Sequence, residues 1–239
     1  MTVWHPVFLA GAVCLGVLLT AFSAAGSHAA VDEGSAAEGV AVLINLYDHL
    51  TGPASGEAEP DGGYSALIRY RGHTILFDGG TSPVILEHNA KALGVDLTEV
   101  DTVVLSHNHP DHTGGINHVV AVNPDVAIYV PAGWGFGSPD PETGRTLRKG
   151  HRWLVEEYYA LEESTKIAPG VHLIHTSSPH TGVFWKYPPY EEDPKLYELK
   201  ELSLALTTES GDVFLVVGCS HSGIGEIVKE TRKALDAEI

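Results

Sequence analysis

Four side chains of the types that bind metal ions lie within residues 107–112: His107, His109, Asp111 and His112. His107 and His109 are two residues apart in a segment expected to be extended, so both imidazoles point to one side and can meet one ion. Pro110 suits a helix start, and the turn into that helix lets Asp111 and His112 reach a second ion. A polar loop with local hydrogen bonds is the alternative, but four such residues after one apolar strand favour a metal site.

Two further candidate ligands, Cys219 and His221, follow the apolar run 213–217, which is predicted to be a strand. His221 can return to the same sheet edge and act as a ligand, or it can be a turn residue before the next helix. Cys219 as a thiolate would suit zinc. The alternative for Cys219 is a small buried residue at a strand end.

Asp78 directly follows a predicted strand at 73–77. A carboxylate in this position can accept the free N–H of a metal-bound imidazole and fix the tautomer of that ring. The alternative is a turn residue in an Asp-Gly pair. We predict that Asp78 accepts a hydrogen bond from a metal-binding imidazole and is not itself a ligand.

Zinc is the metal that these ligands favour, with one or two ions bound and iron or manganese as alternatives. Zinc with an open coordination position lowers the pKa of bound water from 15.7 to about 7. The predicted chemistry is therefore hydrolysis of an ester, amide or phosphoester by an activated water, with Asp111 as a candidate proton carrier. We expect a small-molecule substrate, and the sequence leaves the oligomeric state open.

The elements that must position these residues alternate between strands and helices, which suggests an α/β sandwich. The predicted strands are 40–46, 64–70, 73–77, 101–105, 127–130, 171–175, 202–207 and 213–217. The predicted helices are 82–93, 111–120, 153–163 and 223–234.

Length and charge limit the classes of function. The 239 residues suffice for one sizeable domain, and a formal net charge of −17 disfavours a nucleic-acid partner held in a basic groove. Small anionic substrates remain compatible, because a bound metal can invert the local field.

The first thirty residues differ from the rest of the chain. Residues 7–25 are almost wholly apolar and a small-residue site follows, which predicts a signal peptide at 1–29 and an exported protein, although no Lys or Arg precedes the run. A retained membrane anchor is the alternative. A linker at 30–39 and one domain at 40–239 follow. Removal of the signal peptide would take away the apolar segment, so no stable membrane anchor is expected. It would also take away Cys14, so no intrachain disulfide is expected.

The motif His-X-His-X-Asp-His after an apolar strand resembles that of the metallo-β-lactamase superfamily. Within the superfamily, the runs 77–80, 105–116 and 218–224 (Gly-Cys-Ser-His-Ser-Gly-Ile) are similar to the branch of dihydropterin-ribofuranosyl-aminobenzene-phosphate synthase-like proteins. This resemblance implies a four-layer αββα sandwich with metal ions at the sheet edge. It also places Cys219 where many members carry a metal-bridging Asp.

The resemblance adds three expectations. Glu201 falls where the branch has an acidic residue in place of the superfamily's third histidine, so it is a candidate ligand or proton carrier, with a solvated strand residue as the alternative. The family continues through another strand and helix, so we expect a domain truncated at its C-terminal end. The alternatives to hydrolysis are a synthase or transferase acting on a pterin phosphate, and a metal-binding domain without catalysis.

Overall fold

The computed structural model describes residues 40–48, 58–133, 136, 145–147, 157–178 and 199–237. The larger sheet has seven strands, in the order β1-β2-β3-β4-β5-β7-β6. The strands β3, β4, β5 and β7 run parallel to one another. Their bounds are β1 (Val42–Tyr47), β2 (Ser65–Tyr70), β3 (His73–Phe77), β4 (Thr102–Val104), β5 (Ala127–Pro131), β6 (Arg145–Leu147) and β7 (Glu157–Leu161).

A second, antiparallel sheet of four strands has the order β11-β10-β9-β8. Its strands are β8 (Thr165–Ala168), β9 (Val171–Ser178), β10 (Leu199–Thr207) and β11 (Val213–Val216). Alternate residues of both sheets face each other and form a buried apolar core, which includes Ile68, Ile75 and Phe77 from one sheet and Leu202 and Leu204 from the other.

The helices cover the two outer faces. They are α1 (Pro83–Ala92), α2 (Pro110–Thr113), α3 (Ile116–Val122) and α4 (Ile224–Leu235), with a short 3-10 turn at Leu97–Glu99. Leu86 of α1 and Val119 of α3 enter a second core on the outer face of the larger sheet. The helix α4 packs against β9 of the smaller sheet. The four-layer αββα sandwich that the sequence predicted is therefore confirmed.

Two predicted elements differ from the structure. The prediction of a helix at 153–163 is wrong, because Glu157–Leu161 forms the strand β7. Residues 153–156 lie outside the described part of the chain. Tyr158 enters one core while Leu161 packs against the other, so β7 is covered on both faces and lacks the alternation of a half-buried strand. The single helix predicted from 111 to 120 is broken into α2 and α3 at Gly114 and Gly115.

The signal peptide at 1–29 and the linker at 30–39 lie outside the described residues and stay predictions, as does the truncation. Within the described residues, no helix combines the length and the apolar character needed to cross a membrane.

Candidate metal centre

The predicted ligands gather at the edge of the larger sheet where its parallel strands end. Asp78 comes directly after β3 and His107 follows β4. The backbone N–H of Asp78 donates to the carbonyl of Val104 at 2.8 Å, and that of Leu105 donates to the carbonyl of Tyr129 at 2.9 Å. Pairing thus continues to the ends of the strands, and the segments that follow leave the sheet side by side.

His107, His109 and His112 meet just beyond β4. The distance between Nε2 of His107 and Nδ1 of His109 is 2.9 Å. The ring centroid of His107 lies 4.5 Å from that of His109 and 4.3 Å from that of His112. His107 is fully buried, and the other two rings are nearly so. The extended segment and the helical turn of α2 therefore bring the three imidazoles together, as their spacing predicted.

Glycines behind α2 allow the backbone to pass close to the cluster. The N–H of Gly79 donates to the carbonyl of His112 at 2.7 Å, and the N–H of Gly114 donates to the carbonyl of Gly80 at 2.8 Å. A Cβ on Gly114 would lie 1.8 Å from the carbonyl oxygen of Thr81, far inside contact distance. A glycine at position 114 is therefore required for this close approach of the two backbone segments.

The loop 218–223 after β11 brings Cys219 and His221 to the same place. The Sγ of Cys219 lies 3.0 Å from Nε2 of His112. The ring centroid of His221 lies 4.8 Å from that of His107 and 4.9 Å from that of His109. The loop thus reaches the cluster from the opposite sheet.

These side chains form two groups that could each hold an ion. The first consists of His107, His109 and His221, and the second of His107, His112 and Cys219; within each group the potential ligand atoms lie within 4.8 Å of one another. Imidazole nitrogen and thiolate sulfur are ligands that suit zinc and other transition metals. The set of donors therefore fits a metal centre.

The carboxylate of Asp78 is linked by hydrogen bonds to both groups of candidate ligands. It is fully buried; Nδ1 of His112 donates to its Oδ2 at 2.6 Å, and the hydroxyl of Ser106 donates to the same oxygen at 2.7 Å. The backbone N–H of Ser106 donates to Oδ1 at 2.6 Å. Asp78 thus accepts hydrogen bonds from His112 and from Ser106, the residue next to His107.

Ser106 is a supporting residue for which the sequence analysis predicted no role. Because its hydroxyl proton is directed at Asp78, its Oγ accepts from Nδ1 of His107, at 2.8 Å. This leaves Nε2 of His107 for a metal ion. The position of Ser106 next to His107 in the sequence could have indicated this role. The direction of its hydroxyl, however, depends on how two strands pack together.

The pKa values of His107 and His109 make both rings available as ligands. Burial, together with the neighbouring imidazoles, holds the pKa of His107 well below its usual value. Burial, followed by the charge of His221, lowers the pKa of His109 to about 4. Both rings are therefore neutral at neutral pH, as metal ligation requires.

The pKa values of His112 and Cys219 shift so that the charged form of each side chain is favoured. Burial opposes protonation of His112, but the charge of Asp78 and the hydrogen bonds to Asp78 and Cys219 outweigh it and raise the pKa of His112 to about 11. Burial favours the neutral thiol of Cys219, but hydrogen bonds from His112 and His221 outweigh it and lower the pKa of Cys219. Both shifts favour the charged forms of this pair, and a bound metal ion would take the place of the proton between them.

The two predicted proton carriers have different surroundings. The side chain of Asp111 is 47% exposed, and its Oδ2 lies 3.5 Å from Nε2 of His112, at the rim of the cluster. Glu201 is buried, and its oxygens accept the backbone N–H groups of His221 and Ser222. Among the described residues, neither carboxylate belongs to the two groups of converging ligand atoms.

Comparison with known proteins agrees with this architecture. A family model described as the metallo-beta-lactamase superfamily matches residues 58–228, which is well over half of the chain. The chain is 28% identical over 187 residues to 7,8-dihydropterin-6-methyl-4-(beta-D-ribofuranosyl)-aminobenzene-5'-phosphate synthase of Methanocaldococcus jannaschii. That match covers 66% of this chain and 60% of the relative, so the chain spans less than two thirds of the relative's length.

The chain is also similar to a hydrolase and to a solved structure. A hydroxyacylglutathione hydrolase of Aeromonas hydrophila is 31% identical over 86 residues, which cover 36% of this chain and 30% of that protein. Among solved structures, the metallo-beta-lactamase SMB-1 superposes with a TM-score of 0.42 at 16% identity, over 80% of this chain and 73% of that one. The resemblance to the synthase branch is confirmed, and the chain belongs to the metallo-beta-lactamase superfamily.

Proposed function

We propose that this protein is a metal-dependent hydrolase that binds two zinc ions and cleaves an ester, amide or phosphoester bond in a small molecule. The observation that carries the proposal is the convergence of four imidazoles and one thiol in two groups, within each of which the potential ligand atoms lie within 4.8 Å of one another. Iron or manganese in the same positions would be the alternatives, since ligand geometry and metal availability select among these ions.

The first ion would be held by His107, His109 and His221. Three protein ligands would leave one coordination position open for water, as in catalytic zinc sites. The second ion would be held by His112 and Cys219, with Asp111 as the third ligand from the rim. Because Nε2 of His107 faces His109 at 2.9 Å, we assign His107 to the first ion alone.

Zinc in this centre would supply a water with a pKa near 7 and would polarise the bond under attack. The protein's own residues would do the rest. Asp78 and Ser106 would orient His112 and His107, and the exposed carboxylate of Asp111 would accept a proton from the attacking water.

A synthase or transferase that acts on a pterin phosphate is the second candidate. The observation that favours it is the 28% identity to the synthase of Methanocaldococcus jannaschii, over two thirds of this chain. Both candidates use the same ligands, so they differ in the substrate and in the acceptor group.

The experiment compares zinc-loaded full-length protein with its His109→Ala variant on phosphoester, lactone and β-lactam probes, and on a pterin phosphate. Hydrolysis of any of the first three that His109→Ala reduces by at least about 100-fold supports a hydrolase. Turnover of the pterin phosphate alone would support the transferase instead. Stoichiometric metal without any turnover would support a metal-binding domain that lacks catalysis.

We also propose that the protein is exported by cleavage after residue 29, on the basis of the apolar run 7–25. Mass spectrometry of the mature N-terminus in the native host tests this. A mature chain that begins near residue 30 supports export, and a chain that retains residues 1–29 in the membrane fraction would support the membrane anchor.

A further inference from the structure

Glu201 is a buried carboxylate whose two oxygens both point at the backbone of another segment. Its side chain is 2% exposed, on β10. Its Oε1 accepts the N–H of His221 at 2.9 Å and its Oε2 accepts the N–H of Ser222 at 2.7 Å. Hydrogen bonds to an ionised acceptor are roughly twice as strong as neutral ones. Two such bonds hold one short piece of backbone.

The backbone that Glu201 holds is the loop 218–223, which carries Cys219 and His221. At one end of the loop, a Cβ on Gly218 would lie 2.6 Å from Oγ of Ser106, so this end presses directly on the segment before His107. Ser220 has a φ of +59°, a conformation that favours glycine. The loop therefore follows a constrained path that needs support at its other end.

Glu201 provides that support, and its placement on the sheet explains the direction of its side chain. It pairs with Thr176 of β9, one position before Leu202, whose side chain lies in the core between the sheets. Since neighbouring residues on a strand alternate in direction, Glu201 faces away from that core, towards the layer of α4. From there its carboxylate meets the loop that leads into α4.

We propose that Glu201 is a positioning residue that places Cys219 and His221 together for metal binding, and that it is neither a metal ligand nor a proton carrier. The inference rests on the proposed metal function. Because His221 belongs to one group of ligands and Cys219 to the other, a single carboxylate sets the geometry of both positions. Loss of the Glu201 carboxylate would therefore weaken the binding of both ions.

The test uses Glu201→Gln, which keeps the length of the side chain but replaces one acceptor oxygen with an N–H donor. One backbone N–H of the loop would then face a donor. Thr176→Val is the matched control: Thr176 lies opposite Glu201 and is equally buried, and its Oγ1 has no hydrogen-bond partner among the described residues. Both variants carry Cys14→Ser, so that Cys219 is the single thiol.

Three measurements follow on the full-length protein. Zinc affinity is measured by competition with a chelator, and the sulfur-to-cobalt charge-transfer absorption is measured after cobalt substitution. The rate of alkylation of Cys219 is measured without metal. In Glu201→Gln we expect about 10- to 100-fold weaker binding of both ions, the usual effect of losing a residue that orients metal ligands. We also expect a weakened sulfur-to-cobalt band and a changed alkylation rate, with Thr176→Val like the wild type.

The proposal is overturned if Glu201→Gln binds both ions with wild-type affinity, or if it loses one ion while the sulfur-to-cobalt band stays intact, as expected of a lost ligand. Should the variant fail to fold, amide hydrogen exchange in the metal-free wild type decides. The N–H groups of His221 and Ser222 must be protected, and rapid exchange at both would overturn the proposal. A wild-type protein that binds no metal would instead refute the proposed function.

Discussion

The carboxylate of Asp78 and the imidazole of His112 form a buried pair, with 2.6 Å between Oδ2 and Nδ1. The same Oδ2 accepts the hydroxyl of Ser106, which in turn faces Nδ1 of His107 at 2.8 Å. One carboxylate therefore fixes the tautomers of two imidazoles, and both Nε2 atoms point towards the metal centre. The two groups of ligands share this support.

Asp78→Asn should weaken metal binding by about 10- to 100-fold, since the amide of asparagine cannot accept from both His112 and Ser106 if its N–H₂ replaces Oδ2. Chelator competition measures the effect. Asp101→Asn is the control, because Asp101 accepts the exposed N–H of Thr74 and lies before β4, whereas the ligands follow that strand. Equal metal affinity in the two variants would contradict the role of Asp78.

The thiol of Cys219 should react rapidly with iodoacetamide in metal-free protein, because it is exposed and its hydrogen bonds with His112 and His221 lower its pKa. Zinc should slow this reaction by at least about 10-fold, since a ligated thiolate is a poor nucleophile. Alkylation is followed by mass spectrometry in a Cys14→Ser background. An identical rate with and without zinc would show that Cys219 does not bind the metal.

Metal-free protein should lose stability as the pH falls from about 6.5 to about 4. Over this range the unfolded chain takes up protons on His107 and His109, whereas the folded protein keeps both rings neutral. The unfolded state then binds more protons, so the free energy of unfolding decreases. The raised pKa of His112 affects stability in the alkaline range. The stability that this group contributes is fully present below about pH 6.5 and is lost as the pH rises towards 11.

Urea unfolding of metal-free protein at a series of pH values measures this slope. His109→Gln should reduce it, because one of the two rings that resist protonation is gone. If His109→Gln and the wild type have the same slope between these pH values, His109 does not have the lowered pKa described above.

Gly114→Ala should destabilise the protein by about 1–3 kcal/mol, the usual range for overpacking. Its new Cβ would collide with the carbonyl of Thr81, and the backbone behind His112 would have to move. Gly225→Ala in α4 is the control, since its added Cβ has no atom within 4 Å among the described residues outside the backbone of its own helix, and alanine favours a helix. Thermal unfolding of both variants gives the comparison, and equal midpoints would be inconsistent with the described backbone contact.

The sequence predicted that these candidate ligands converge because their positions follow from simple periodicity. His107 and His109 share a face of an extended segment, and the helical turn at Pro110 redirects His112, so local geometry alone brings them together. The hairpin between β2 and β3 also follows a local pattern, since two β-rich runs are separated by only Arg71 and Gly72. Their φ values of +48° and +78° form a two-residue turn, in which Gly72 is the favoured residue type.

The remaining features depend on contacts between distant segments. The residues of β7 alternate between two cores, so their burial on both faces hid the strand pattern that a half-buried strand shows. The roles of Ser106 and Glu201 are set by which donors approach them in the folded protein, Nδ1 of His107 in one case and the loop N–H groups in the other. Residue type alone could not distinguish a ligand from a residue that positions ligands.

Metal content tests the central claim most directly. The purified full-length protein is dialysed against a chelator, reloaded with zinc, freed of excess and examined by elemental analysis. We predict about two zinc ions per chain for the wild type, and loss of about one from His221→Ala, which removes one ligand of the all-imidazole group. A wild-type protein that retains no stoichiometric metal would contradict the account.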